Sequence, residues 1–132
     1  MAQGLQSVAQ VDGDVGRIEL TGDLDIATAT DLRAALAALV DVPLTVVDLG
    51  GVLFCGARGM HVLVEAAAHT AARGGRFVVV HCPPAVSTLV RLLHVPWRPW
   101  PLAGDVPGED DDPGMEILPT RTIGVRAASP LG

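Results

Sequence analysis

The segment best suited to chemistry is Val-Leu-Phe-Cys-Gly-Ala-Arg-Gly-Met at residues 52–60, between an apolar run and the longest helical pattern in the chain. A strand-to-helix turn carrying Gly56 and Gly59 would expose backbone N–H groups at a helix N-terminus, where anions and partner carboxylates bind. The plainer alternative is a tight turn that needs small residues. A nucleotide loop is a poor match, because neither G-x-G-x-x-G nor G-x-x-x-x-G-K occurs and the chain has no Lys. Asp23 and Asp25 form a second pair, at the carboxyl end of a predicted strand, the edge where ligands gather in open α/β sheets. Two carboxylates could share acid–base work, but nothing sets them across a substrate. Asp25 is equally suited to capping or orienting the following helix. Cys55 and Cys82 stand far apart in the chain, with His61 and His81 near them in sequence. No ligand pair has the short fixed spacing of a zinc site, and no base is positioned to activate either thiol. Neither a metal nor a cofactor is therefore expected, and small apolar fillers with loop histidines explain these residues. Ser7, Ser87 and Ser129 lie outside any nucleophile-elbow pattern. No catalytic set assembles, so the residues favour binding over catalysis and no enzyme is expected.

The elements that must hold these residues follow from periodicity. Residues 7–11 read as a weak strand, and Asp12-Gly13 as a hairpin turn, since both residue types tolerate positive φ. Over residues 15–21, Ile18 and Leu20 share one parity with Leu24, while Arg17, Glu19 and Thr21 take the other, the signature of a half-buried strand. Gly22-Asp23-Leu24-Asp25 is expected to break it. Residues 27–40 carry Leu32, Leu36, Leu39 and Val40 as a helical stripe, with Thr28 as cap and Asp31 in the first turn. Residues 44–49 form a short buried strand bounded by Pro43 and Gly50-Gly51.

Residues 57–73 form the clearest helix. Met60, Leu63, Val64, Ala67 and Ala71 make its apolar stripe, and Gly74-Gly75 its stop. Arg58, His61, Glu65, His69 and Arg73 make a polar face that is either solvated or partner-binding. Residues 77–80 read as another buried strand and 85–93 as a short helix. The order strand, strand, helix, strand, helix, strand, helix predicts an α/β fold with the hairpin strand at one edge and the helices on one side of the sheet. The prolines around Trp97 and Trp100 allow only an edge strand or an extended segment. These tryptophans are either a sheet-edge cover or an adhesive patch.

A domain over residues 1–103 and a tail over 104–132 are expected, the tail acidic, proline-containing and partly disordered. Residues 115–125 carry a competing reading, as a weak strand returning to the sheet edge. On the first reading, truncation after Leu102 leaves stability nearly unchanged.

Composition narrows the function classes. A chain of 132 residues that is 49% hydrophobic can bury the core of one domain, and with 3% aromatics that core must be aliphatic. Residues 1–100 hold nine acids against seven arginines, and residues 101–132 six against two, so no basic face exists for direct nucleic-acid binding. The longest apolar run, residues 34–40, is far too short to span a bilayer, and the N-terminus lacks a secretory pattern. A soluble, cytoplasmic setting with no membrane partner is expected. The absence of Lys, Asn and Tyr fits GC-rich bacterial coding.

Four motifs in order resemble the STAS domain family, that of bacterial anti-sigma factor antagonists and sulfate-transporter tails. They are Ile18-Glu19-Leu20-Thr21-Gly22-Asp23-Leu24-Asp25-Ile26, Val46-Val47-Asp48-Leu49-Gly50-Gly51-Val52, Phe54-Cys55-Gly56-Ala57-Arg58-Gly59-Met60 and Arg73-Gly74-Gly75-Arg76. The resemblance spans roughly residues 7–103. It implies a small mixed β-sheet with helices packed mainly on one face. It also implies an anti-sigma factor antagonist that binds an anti-sigma factor, of the ATPase-like serine kinase type, and releases a sigma factor. In the family the kinase phosphorylates the first Ser of an Asp-Ser-Ser-Gly turn. Here Gly56 stands at the Asp, Ala57 at the phosphorylated Ser and Arg58 at the second Ser. Ala57 has no hydroxyl, so the serine switch is expected to be missing. The partner site implied is Asp23, Asp25, Gly56, Ala57, Arg58, Gly59 and His61. A diverged STAS scaffold or small-ligand-sensing module is the alternative, and a homodimer stays open.

Overall fold

The Asp12-Gly13 signal closes a hairpin in the computed structural model, which describes residues 4–39, 41–99 and 114–119. Strand β1 (Leu5–Asp12) runs antiparallel to β2 (Val15–Leu24), in register from Leu5↔Gly22 to Asp12↔Val15, and Gly13 takes a positive φ of 63° at the turn. β2 does not stop at Gly22. The alternation carries on, with Gly16, Ile18, Leu20, Gly22 and Leu24 all buried. Gly22 makes this continuation possible: its φ is 114°, and a Cβ there would collide with the carbonyl of Gly4.

Helix α1 (Ala29–Ala37) begins two residues later than its periodicity suggests. The Thr28 hydroxyl donates to the Asp23 carbonyl at 2.7 Å and accepts the Asp25 N–H at 3.1 Å, so residues 25–28 are held as a turn. Thr28 thus fixes the entry to α1 without a side-chain bond to the helix's own N–H groups. Strand β3 (Leu44–Cys55) is twice the length predicted, because Gly50-Gly51 does not end it. Its register against β2 slips between Glu19 and Thr21 and again between Gly22 and Asp23, each time fitting one extra β3 residue as a bulge. Helix α2 (Ala57–Ala72), strand β4 (Arg76–Val80) and helix α3 (Pro84–Leu92) match the sequence expectation closely.

Trp97–Pro99 forms the short strand β5, and Met115–Ile117 forms β6. The sheet order is β1-β2-β3-β4-β6-β5, parallel through β2-β3-β4 and antiparallel elsewhere. β5 is the edge strand its prolines require. β6 lies inside the sheet, between β4 and β5, which is the returning-strand reading of residues 115–117. The sheet therefore draws on residues both before and after position 103. Trp100 and the acidic run at 109–112 lie outside the described residues.

All three helices cover one face. Leu32 and Leu36 of α1, Met60, Leu63 and Ala67 of α2, and Val86 and Val90 of α3 share one core with Ile18, Leu20, Val47, Leu49, Phe77 and Val79 of the sheet. Among the described residues Phe77 is the largest fully buried side chain, and no other aromatic side chain is buried in the core. On the opposite face Val46, Val78 and Val80 form a second, small cluster flanked by Val15 and Leu44.

Candidate functional site

β3 outruns β4. Its pairing with β4 ends at Asp48↔Val80, whereas its pairing with β2 continues to Leu24↔Cys55. Beyond β4 the sheet therefore continues as β1, β2 and β3, and past Gly22 as β2 and β3 alone. In that last stretch Asp23 lies opposite Phe54. The second bulge falls in this stretch and interrupts the inward–outward alternation, leaving both Leu53 and Phe54 exposed, at 72% and 52%. Ile26, in the turn that follows β2, is 73% exposed at the same end.

Helix α2 starts directly from this stretch. Gly56, its N-cap residue, is extended (φ −98°, ψ 177°), donates its N–H to the Leu24 carbonyl at 2.9 Å, and accepts the Met60 N–H at 3.0 Å. Among the described residues no side chain caps the helix. Gly59 is buried against the end of β2, where an added Cβ would collide with the Leu24 carbonyl oxygen and lie 2.7 Å from Leu24 Cβ. Only glycine lets the helix approach so closely. Ala57, Arg58 and His61 face outward on the first two turns.

The seven residues expected at a partner site therefore divide in two. Asp23, Gly56, Ala57, Arg58 and His61 come together at one end of the sheet. Asp25 and Gly59 are nearby but hold the frame: the Asp25 carboxylate accepts the Thr28 N–H at 3.1 Å, the orienting role that sequence allowed for it. Leu53, Phe54 and Ile26 escaped sequence reasoning. Their signal was present as large apolar residues flanking the glycine turn, but alternation alone would bury one of any adjacent pair.

Cys55 is buried, and its pKa is pushed up to about 11, first by burial and then by Cys82 nearby. That is the reverse of an activated thiolate. The Ser87 hydroxyl donates to Cys82 Sγ at 3.6 Å. Among the described residues no group of three or more His, Cys, Asp or Glu side chains could hold a metal ion.

Two charged networks also went unforeseen. On the outer face of the sheet, Asp48 accepts Arg17 Nη2 at 2.8 Å and the Gly50 N–H at 2.8 Å, and lies 3.1 Å from His81 Nδ1. His81 has a positive φ of 55° just past β4. A lone Asp in an apolar strand, on the same face as Arg17, was the available signal. Across β4, β6 and β5, Glu116 accepts Arg76 Nε and Nη2 at 3.0 and 2.8 Å and Arg98 Nε at 2.8 Å. Those hydrogen bonds, with Arg76 dominant, hold the Glu116 carboxyl below its usual pKa against the opposing effect of burial.

The family described as "Mlab, STAS domain" matches residues 7–95. No curated protein matches the chain. Among solved structures, an anti-sigma factor antagonist from Mycobacterium paratuberculosis aligns with a TM-score of 0.62 and 27% identity, over 68% of this chain and 78% of that one. An anti-sigma factor antagonist STAS domain from Rhodobacter sphaeroides aligns at 0.54 and 17% identity, over 64% and 94%. A sulfate transporter family protein from Wolinella succinogenes aligns at 0.55 and 19% identity, over 64% and 70%. The last two show a shared fold.

Proposed function

The chain belongs to the STAS domain family, and from that footing we propose that it is an anti-sigma factor antagonist. It binds an anti-sigma factor of the ATPase-like serine kinase type and thereby frees a sigma factor. The observation that carries this reading is the exposure of Leu53 and Phe54 just before α2 and of Ile26 just after β2, at the end of the sheet that also holds Asp23, Arg58 and His61. A cluster of exposed large apolar side chains with a polar rim marks an interaction surface. The 27% identity to a structure described as an anti-sigma factor antagonist supports the same partner class.

The proposed role is binding, not catalysis, and it is placed in the cytoplasm. Among the described residues no helix is long and apolar enough to cross a membrane. At Ala57 the surface is kept and the hydroxyl is absent, so this antagonist works without the usual phosphoserine switch.

The test is a titration against an ATPase-like anti-sigma factor. Phe54→Ala removes an apolar contact at the centre of the patch, and Ala57→Asp places a charge at the helix start that must be desolvated on binding. Each is expected to weaken the complex at least about tenfold, the effect of a modest interface hot spot. Full affinity in both variants, or no complex with the native chain, refutes the reading. A second reading, a small-ligand-sensing module, is favoured by the cavity between α1 and α2.

A further inference from the structure

We propose that the cavity between α1 and α2 is a binding site for a free apolar amino acid, an α-ammonium carboxylate with a leucine- or phenylalanine-sized side chain. The cavity encloses about 350 Å³ on the helix side of the sheet, within the size range of small-molecule sites. Leu36, Val62, Ala66 and Phe77 make most of its lining apolar. Thr45 and Thr70 also line it, and their hydroxyls donate to backbone, to the Leu39 carbonyl at 3.4 Å and the Ala66 carbonyl at 2.9 Å. The interior therefore suits a hydrocarbon body and offers no free donor to a buried anion.

Charge is confined to the part built by Arg33 of α1 and Glu65 of α2, with His69 one turn further along α2. Arg33 Nε and Nη2 lie 3.4 and 3.3 Å from Glu65 Oε1, and both side chains are about half exposed. These are long contacts between solvated groups, so a ligand can replace them at little cost. A lone carboxylate would pair with Arg33 but leave Glu65 facing a like charge. A lone amine would pair with Glu65 and leave Arg33 facing one. A head bearing both charges satisfies both residues. The two protein charges are only 3.3 Å apart, so the ligand's charges must also be close, as they are on a single α-carbon. This site uses a later stretch of α2 than the proposed partner surface, and its occupancy does not depend on that reading.

The test is an NMR titration of the full chain with L-leucine and L-phenylalanine, run beside 3-phenylpropionate and phenethylamine, which each carry one of the two charges. Saturable shifts at Thr45, Val62, Ala66 and Thr70 are expected from an amino acid, with affinity at least about tenfold above either single-charge analogue. Arg33→Gln and Glu65→Gln should each cost a similar factor, and Ala66→Phe, which fills the cavity, should abolish the shifts. The two charge variants alter half-exposed side chains and keep the fold, so they carry the test even if Ala66→Phe misfolds. No saturable shift at millimolar amino acid, equal binding of an analogue, or binding unchanged in both charge variants overturns the proposal.

Discussion

Glu116 offers the sharpest check on how this sheet is held together. It is 5% exposed, yet its carboxylate takes three hydrogen bonds from two arginines on the flanking strands. Glu116→Ala deletes all three and takes the carboxylate's charge away from beside both guanidiniums. Breaking a fully buried pair costs about 3–5 kcal/mol. Arg76 and Arg98 are 44% and 56% exposed, however, so water recovers part of that loss, and about 2 kcal/mol is the expected cost. For a domain of this size that lowers the melting midpoint by about 8 °C. The cost should depend on pH in one direction. The folded-state pKa of Glu116 is held below the ordinary carboxylate value, first by its hydrogen bonds from Arg76, so its stabilisation is complete above the ordinary value and fades as pH falls through the lower, folded-state one. Thermal melts followed by circular dichroism should therefore show a full gap between native chain and variant at neutral pH, closing in acid. Arg76→Gln should cost more than Arg98→Gln, because Arg76 supplies two of the three bonds. Equal midpoints at neutral pH, or a gap that stays constant as the pH drops, would refute the argument.

Truncation after Leu102 removes β6 entirely, including Ile117, which is 5% exposed. Loss of that side chain's burial, about 2 kcal/mol, on top of the Glu116 bonds should make the truncated chain melt well below Glu116→Ala, and a nearly unchanged midpoint would show that β6 contributes nothing. Gly59→Ala should destabilise by about 2–3 kcal/mol through the clash with Leu24, outweighing the ~1 kcal/mol that alanine gains in helix propensity; denaturant melts would show the opposite sign if the helix can shift freely. With its pKa near 11, Cys55 exposes about one thiolate in a thousand at pH 8, so iodoacetamide should label it only on unfolding, and prompt native-state labelling located by peptide mapping would contradict its burial. Incubation with an anti-sigma kinase and ATP should leave residue 57 unphosphorylated by peptide mass spectrometry, and phosphate appearing on Thr28 instead would end the idea of an unswitched antagonist.

Sequence pattern was informative wherever structure is decided by near neighbours. The Asp12-Gly13 turn, the alternation through Ile18 and Leu20, and the apolar stripe of α2 each depend on residues a few positions apart, and all three are present. It fell short where a distant partner decides. Gly50-Gly51 reads locally as a strand end, but β2 continues alongside and holds β3 in the sheet to Cys55. Met115–Ile117 is only three residues long and reads either as tail or as a weak returning strand; the choice is made by Glu116, which meets Arg76, 40 positions earlier, with the strand lying between β4 and β5. The same division runs through the candidate site. Motif order pointed to the turn around Gly56, whereas the exposure of both Leu53 and Phe54 depends on a bulge that appears only once β2 and β3 are paired. Gly59 and Asp25 belong to the motif for a different reason. One lets α2 rest on Leu24, and the other fixes the turn into α1, so both act on the shape of the surface that Phe54 and Arg58 present. Substitutions at Asp25 and Gly59 should therefore weaken partner binding together with stability, while substitutions at Phe54 should weaken binding alone.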